Sequence, residues 1–170
     1  MIRAIILDRD GVINDDLGYI GKPGEFVFTH NAEQTLKRLR RLYLLIVISN
    51  QSGLSRGFFS KKDLEDITKR FRHLVDAVYY CVHHPDEDCE CRKPKIHMLN
   101  EACKRFRLKP SECIVVGDKP SDVEMGKRAG CKTVFVDHFD SVSILSVKPD
   151  IAIKELPELE ELMKKIEDDG

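Results

Sequence analysis

Two carboxylates, Asp8 and Asp10, stand one residue apart in the run Ala4-Ile5-Ile6-Leu7-Asp8-Arg9-Asp10-Gly11. A carboxylate nucleophile is useful chiefly for forming a glycosyl or phosphoryl ester intermediate. Phosphate is already anionic, so attack by Asp8 requires charge to be neutralised on both groups. A magnesium ion bound by Asp8, Asp118 and the backbone carbonyl of Asp10 meets that need, with waters and phosphate completing an octahedron. Ser49 and Asn50 offer a hydroxyl and an amide to phosphoryl oxygens without adding negative charge. Lys93 supplies the remaining point charge. Asp10 has a separate role, in which it protonates the leaving alcohol and then takes a proton from the water that hydrolyses the aspartyl-phosphate. A crowd of nearby carboxylates is expected to favour its protonated form at the start.

A second group of chemically capable residues is the spacing Cys81-x-His83, five residues, Cys89-x-Cys91. Three thiolates and an imidazole suit tetrahedral zinc with no open position, which is the structural kind of site. Such a metal is expected to staple a loop, residues 81–93, that has no core of its own. His84 is a rival to His83 as ligand, and free thiols or a redox pair are the alternative. The loop ends in Arg92-Lys93-Pro94, so a metal there would also fix Lys93.

These residues need elements to carry them. Ala4–Leu7 is a continuous apolar run, expected as a strand buried on both faces. Further strands are expected at 44–48, 77–81, 112–116 and 132–136, with a short sixth at 151–153. Asn31 with Gln34 reads as a capping box for a helix with Leu36, Leu39 and Leu42 on its face. Ser60 with Asp63 opens a helix whose buried stripe is Leu64, Ile67, Phe71 and Leu74. Pro94 is expected to open a helix carrying Met98, Leu99, Ala102 and Phe106. Pro120 suits the first turn of a helix ending near Gly130, and residues 156–166 read as a closing amphipathic helix. Strands alternating with helices predict βαβ units, hence an α/β three-layer sandwich around a parallel sheet. Strands one, two and four each end in a small polar or charged cluster. A parallel sheet puts those clusters on one edge, where ligands bind.

The chain has 170 residues and fits a single domain, 1–170, with a substantial core. With 28 basic and 29 acidic residues it generates no field that favours nucleic acid or a membrane surface. The apolar start is too short for a signal peptide or a membrane span, so a cytoplasmic protein with reduced thiols is expected. Cys103, Cys113 and Cys131 then read as small core residues.

Taken together, Asp8-Arg9-Asp10-Gly11-Val12-Ile13, Ser49-Asn50-Gln51, Lys93 and Gly117-Asp118-x-x-x-Asp122 resemble the four motifs of the haloacid dehalogenase (HAD) superfamily of phosphatases. The resemblance implies a Rossmann-like HAD fold, Asp8 as nucleophile, Asp10 as acid/base, and Asp8, Asp10 and Asp118 around magnesium with Asp122 in support. Cys-x-His followed by Cys-x-Cys-Arg-Lys-Pro resembles the families that act on D-glycero-D-manno-heptose 1,7-bisphosphate and on histidinol phosphate. Asn50-Gln51-Ser52-Gly53-Leu54-Ser55-Arg56-Gly57 and Asp118-Lys119 are more similar to the heptose group. That implies Arg56, Arg92 and Lys119 as substrate-binding residues beside Asn50, and a small phosphorylated metabolite as substrate. The intervals after Asp8 and Ser49 are too small for a cap domain. An open site is therefore expected, roofed in part by the Gly18–Phe28 loop, the Arg56 loop and the zinc loop, in a monomer. A zinc-stapled interaction module without catalysis is the alternative from another class; four intact motifs argue against it.

Overall fold

The computed structural model describes residues 1–168. Six parallel strands form one sheet: β1 (Ala4–Leu7), β2 (Leu44–Asn50), β3 (Ala77–Cys81), β4 (Cys113–Gly117), β5 (Lys132–Val136) and β6 (Ile151–Ile153). Their order across the sheet is β3-β2-β1-β4-β5-β6. The unbroken apolar run of β1 follows from its position. Ile5 and Leu7 enter one core layer with Leu45, Val47, Ile114 and Val116. Ala4 and Ile6 enter the layer on the opposite face with Ile46, Ile48 and Val115. Alternate side chains of a central strand face opposite sides, so both must be apolar.

Helices α1 (Ala32–Leu39), α2 (Lys61–Lys69) and α5 (Glu158–Asp168) cover the first face through Leu36, Leu39, Ile67, Leu159 and Met163. Helices α3 (His97–Phe106) and α4 (Pro120–Ala129) cover the other through Met98, Leu99, Ala102, Cys103 and Met125. The three-layer α/β sandwich is therefore as expected.

Local details depart from the sequence reading in three places. Asn31 makes no capping bond: it lies in the left-handed region at φ 53°, and its amide meets His30 instead. Leu42 lies past the end of α1 and is exposed, because the helix stops at Leu39 and the chain turns into β2. Pro94 precedes rather than opens α3, which starts at His97. By contrast Ser60 and Asp63 form the reciprocal cap predicted for α2, Asp63 N–H donating to Ser60 Oγ at 3.2 Å and Ser60 N–H to Asp63 Oδ2 at 2.8 Å. Leu64, Ile67, Phe71 and Leu74 are all buried, the last two in the turn beyond α2. Cys103, Cys113 and Cys131 are core residues as expected, and they share one layer.

Between β1 and α1, among the described residues, there is one short 3-10 turn, Pro23–Glu25. Between β2 and β3, among the described residues, there are α2, a loop of turns at residues 52–57 and a short 3-10 turn at Arg72–Leu74. No helix of the described residues is long and apolar enough to cross a membrane.

Candidate active site

The strand order turns back at β1, with β2 on one side and β4 on the other, and that switch point opens a crevice at the carboxyl ends of the strands. Asp8 follows β1 and is held beside β4, its N–H donating to the Val116 carbonyl at 3.0 Å. Asp118 follows β4 directly, and Ser49 and Asn50 end β2. Parallel pairing thus brings residues 8, 49 and 118 to one edge.

Two glycines make the close packing possible. A Cβ at Gly11 would lie 2.0 Å from Asp118 Oδ2, and one at Gly117 would lie 2.2 Å from the Asp122 Cβ. Gly11 also adopts φ +80°, a conformation that L side chains resist. At both sites a glycine lets a carboxylate approach the backbone.

Lys93 is buried at the centre of this group. Its ammonium donates to Asp8 Oδ1 at 2.9 Å, Asp122 Oδ1 at 2.6 Å and the Ile48 carbonyl at 2.8 Å, which uses all its hydrogens. Burial works against the charge on Lys93, yet Asp122 and Asp8 together hold it above the usual lysine range. Burial would raise Asp8 too, but the Lys93 ammonium outweighs it, and Asp8 is held below the ordinary carboxylate range. The nearby Ser49 hydroxyl also favours the ionised form of Asp8, and the Arg9 N–H donates to Asp8 Oδ1 at 2.7 Å.

Asn50 departs from expectation. Rather than facing a phosphoryl group, its side chain brackets the Lys93 backbone: Oδ1 accepts from Lys93 N–H at 3.1 Å and Nδ2 donates to the Lys93 carbonyl at 3.3 Å. Both polar atoms of the amide are occupied in holding the lysine in place. Asp10 departs as well. Its carboxylate faces donors rather than a crowd of carboxylates: Arg9 Nε and Nη2, Asn14 Nδ2 and Gln51 Nε2, at 2.7 to 3.1 Å. Arg9, Asn14 and Gln51 were not singled out as site residues from the sequence. Their adjacency to motif residues is the signal that could have found them, since a buried carboxylate needs nearby donors.

Asp8, Asp118 and Asp122 each offer an oxygen within 4.8 Å of the others. Asp118 Oδ1 is buried without a hydrogen-bond partner. Burial first, and then the charge of Asp8, push Asp118 up to about 7. An all-oxygen donor set with an unpartnered buried carboxylate fits a hard divalent cation such as magnesium. The Asp10 backbone carbonyl accepts no hydrogen bond among the described residues, which leaves it available to the same ion. Asp122 is already engaged by Lys93 and by the Lys119 N–H at 3.1 Å, in keeping with a supporting place. A cation must displace the proton that Asp118 holds below pH about 7. Magnesium affinity of the metal-free protein, titrated by calorimetry, should be level above that pH. Below it we expect a fall of roughly tenfold per pH unit; a flat profile down to pH ~5.5 would contradict the assignment.

In the cysteine loop, Cys81, His83, Cys89 and Cys91 offer ligand atoms all within 4.8 Å of one another. Cys81 and Cys89 Sγ are 3.5 Å apart, Cys89 and Cys91 Sγ 3.5 Å, and His83 Nδ1 lies 3.1 Å from Cys91 Sγ. Four ligands around tetrahedral zinc at ~2.3 Å stand about 3.8 Å apart, so the cluster is near the required size. All six cysteines are free thiols. Burial, and then hydrogen bonding to Cys91, push the Cys81 thiol up to about 12, and a zinc ion replaces that proton on binding. His84 is outside the cluster: its Nδ1 accepts from Asp86 N–H at 3.3 Å and caps the turn at Pro85–Glu87.

The residues expected at the rim are less closely gathered. Lys119 pairs with Asp16 at 2.9 Å, tying the loop after β1 to the edge of the site. The Arg56 guanidinium lies over the Tyr19 ring, 5.9 Å from its centroid, and Tyr19 in turn packs on Phe58 at 4.8 Å. The first two roof loops therefore touch. Arg92 lines a cavity of about 240 Å³ beside the cysteine cluster, with its Nη1 buried and unpartnered.

This parallel sheet, with carboxylates after β1 and β4, a hydroxyl after β2 and a buried lysine before α3, defines a HAD-like phosphohydrolase. A family model described as "HAD-hyrolase-like" matches residues 90–159. The D-glycero-beta-D-manno-heptose-1,7-bisphosphate 7-phosphatase of Haemophilus influenzae is 38% identical over 146 residues, covering 78% of this chain and 79% of that protein. The D-glycero-alpha-D-manno-heptose-1,7-bisphosphate 7-phosphatase of Photorhabdus laumondii is 36% identical over 151 residues, covering 79% and 82%. The crystal structure of D,D-heptose 1,7-bisphosphate phosphatase from B. bronchiseptica, complexed with magnesium and phosphate, superposes with a TM-score of 0.85 at 29% identity, covering 96% of this chain and 99% of that one. The chain belongs to the D-glycero-D-manno-heptose-1,7-bisphosphate 7-phosphatase family of HAD-like hydrolases.

Proposed function

We propose that this protein is a magnesium-dependent phosphomonoesterase that removes the 7-phosphate of D-glycero-D-manno-heptose 1,7-bisphosphate by way of an aspartyl-phosphate. The observation that carries the reading is the buried pair of Asp8 and Lys93 next to the unpartnered carboxylate of Asp118.

In this reading one Asp8 oxygen attacks phosphorus, and the bond from phosphorus to the sugar oxygen breaks. Asp10, as the carboxylic acid, gives its proton to that departing oxygen. Water then attacks the same phosphorus, its proton passes to Asp10, and the bond to Asp8 breaks to give inorganic phosphate and free Asp8. Lys93 lowers the negative charge that the incoming phosphoryl group meets, while Ser49 lies close enough to Asp8 to donate to a phosphoryl oxygen. Asp8, Asp118 and the Asp10 carbonyl would hold the magnesium ion, which when bound neutralises charge between nucleophile and phosphate. Cys81, His83, Cys89 and Cys91 would hold zinc in a closed, structural site. Arg56, Arg92 and Lys119 stand as cations for the second phosphate or sugar hydroxyls of the substrate, in a protein read as a cytoplasmic monomer.

The test is a side-by-side measurement of kcat/KM on the alpha and beta anomers of heptose 1,7-bisphosphate and on histidinol phosphate, with magnesium saturating. Relatives are named for either anomer, so a preference between them is an outcome rather than a premise. We expect at least one anomer to exceed histidinol phosphate by a factor of ~100 or more, the discrimination lost when buried or rim cations go unpaired. Equal, low rates on all three would overturn the substrate assignment.

A further inference from the structure

We infer that Gln51 is a positioning residue that sets the orientation of Asp10 and Ser49 together, so that the proton-transfer steps depend on it. The inference rests on the reading of Asp10 as acid/base given above.

The Gln51 carboxamide is buried, and its Nε2 carries two hydrogens. One goes to Asp10 Oδ2 at 2.7 Å and the other to Ser49 Oγ at 3.0 Å. One carboxamide nitrogen therefore bridges Asp10 and the Ser49 hydroxyl at the end of β2. The amide has one workable orientation. Turned over, it would present Oε1 to a carboxylate oxygen, acceptor against acceptor.

The other donors to Asp10 are of a different kind. Arg9 and Asn14 belong to the same short loop as Asp10 and move with it. Among the described residues Gln51, just past the end of β2, is the side chain that reaches Asp10 from outside its own loop. Its own backbone is fixed, since Gln51 N–H donates to the Cys81 carbonyl at 2.7 Å at the end of β3. Arg9 and Asn14 thus hold Asp10 within its loop, whereas Gln51 holds it relative to β2 and to the position where Ser49 meets a phosphoryl oxygen. Proton transfer depends steeply on such placement, because a donor misplaced by an ångström is ineffective.

The experiment compares Gln51→Leu, Gln51→Glu and Asp10→Asn with wild type on phosphate esters graded by leaving-group pKa, from p-nitrophenyl phosphate to simple alkyl phosphates. A good leaving group departs without a proton, whereas an alkoxide does not. Gln51→Leu should lose roughly 10- to 100-fold more kcat/KM on alkyl than on p-nitrophenyl phosphate. Gln51→Glu, which keeps the shape but turns an acceptor toward the Asp10 carboxylate, should show the same split. Both should keep the wild-type thermal midpoint within a few degrees, and a variant that unfolds is replaced in the comparison by the other. A uniform fall across the series in the folded Gln51 variants would mean a merely structural place and overturn the inference, as would wild-type rates in Gln51→Glu. If Asp10→Asn shows no split either, the acid/base reading fails instead; a split in Asp10→Asn alone fails only Gln51.

Discussion

Asp8→Asn should abolish turnover, lowering kcat by at least ~10⁴-fold while leaving the fold intact. The amide keeps the size and one acceptor oxygen of the native side chain, yet it is no nucleophile toward phosphorus at neutral pH, so the covalent route is closed rather than slowed. The fold should tolerate the change because Lys93 retains Asp122 at 2.6 Å and the Ile48 carbonyl at 2.8 Å. Removing one of the buried carboxylates also relieves repulsion of Asp118, whose elevated pKa owes its second-largest part to Asp8. The variant should accordingly bind a proton at Asp118 less readily and lose little thermal stability. Initial rates with magnesium and a thermal melt check both halves. Residual activity above ~1% of wild type would show that another group attacks phosphorus.

The second large effect is expected on removing the proposed zinc ligand Cys89, as Cys89→Ser, or on treating the protein with a strong chelator. Residues 81–93 contribute few core side chains beyond Cys81 and Lys93, so a closed four-ligand metal site supplies the order that apolar burial does not. Purified wild type should hold about one zinc per chain by elemental analysis, and the variant much less. The consequence for catalysis follows from chain connectivity. Lys93 lies two residues past Cys91, and its Nζ must reach a buried slot between Asp8 and Asp122. The Asn50 bracket holds its backbone from the β2 side, and a metal bound by the cysteine cluster would hold it from the loop side. With one anchor gone, we expect kcat to fall by at least ~10-fold at saturating magnesium, because the charge that Lys93 places near the phosphoryl group is worth a few kcal/mol only when positioned. A loss of order 3 kcal/mol in the same loop would lower the thermal midpoint by roughly 6–12 °C for a chain of this size. Full activity in protein verified to be free of zinc would sever the link between the loop and the site.

Much of this architecture was legible in the amino-acid order because local chemistry dictated it. The apolar runs at Ala4–Leu7 and Leu44–Ile48 are continuous because both of their faces are buried, and a parallel sheet then requires the polar residues that follow them to share an edge. Ser60 and Asp63 cap α2 through groups three residues apart, which sequence spacing specifies directly. The ligand spacing of Cys81, His83, Cys89 and Cys91 is likewise a short-range fact, since a metal cluster on one loop needs little else.

What the sequence left open were the partners of side chains that meet across the fold. Asn50 reads as a phosphate ligand because of its place after Ser49, yet it brackets the backbone of a residue 43 positions away. Asp10 reads as one carboxylate among several, yet its nearest neighbours are a guanidinium and two amides, one of them arriving from the residue after β2. Asn31 has the spacing of a cap but a left-handed backbone, and its side chain meets His30 instead of the helix. Residue type and spacing settled which groups stand at the edge of the sheet. Which atom each one touches was decided by tertiary packing, because a buried polar group takes whichever complementary donor or acceptor the surrounding strands bring within hydrogen-bonding distance.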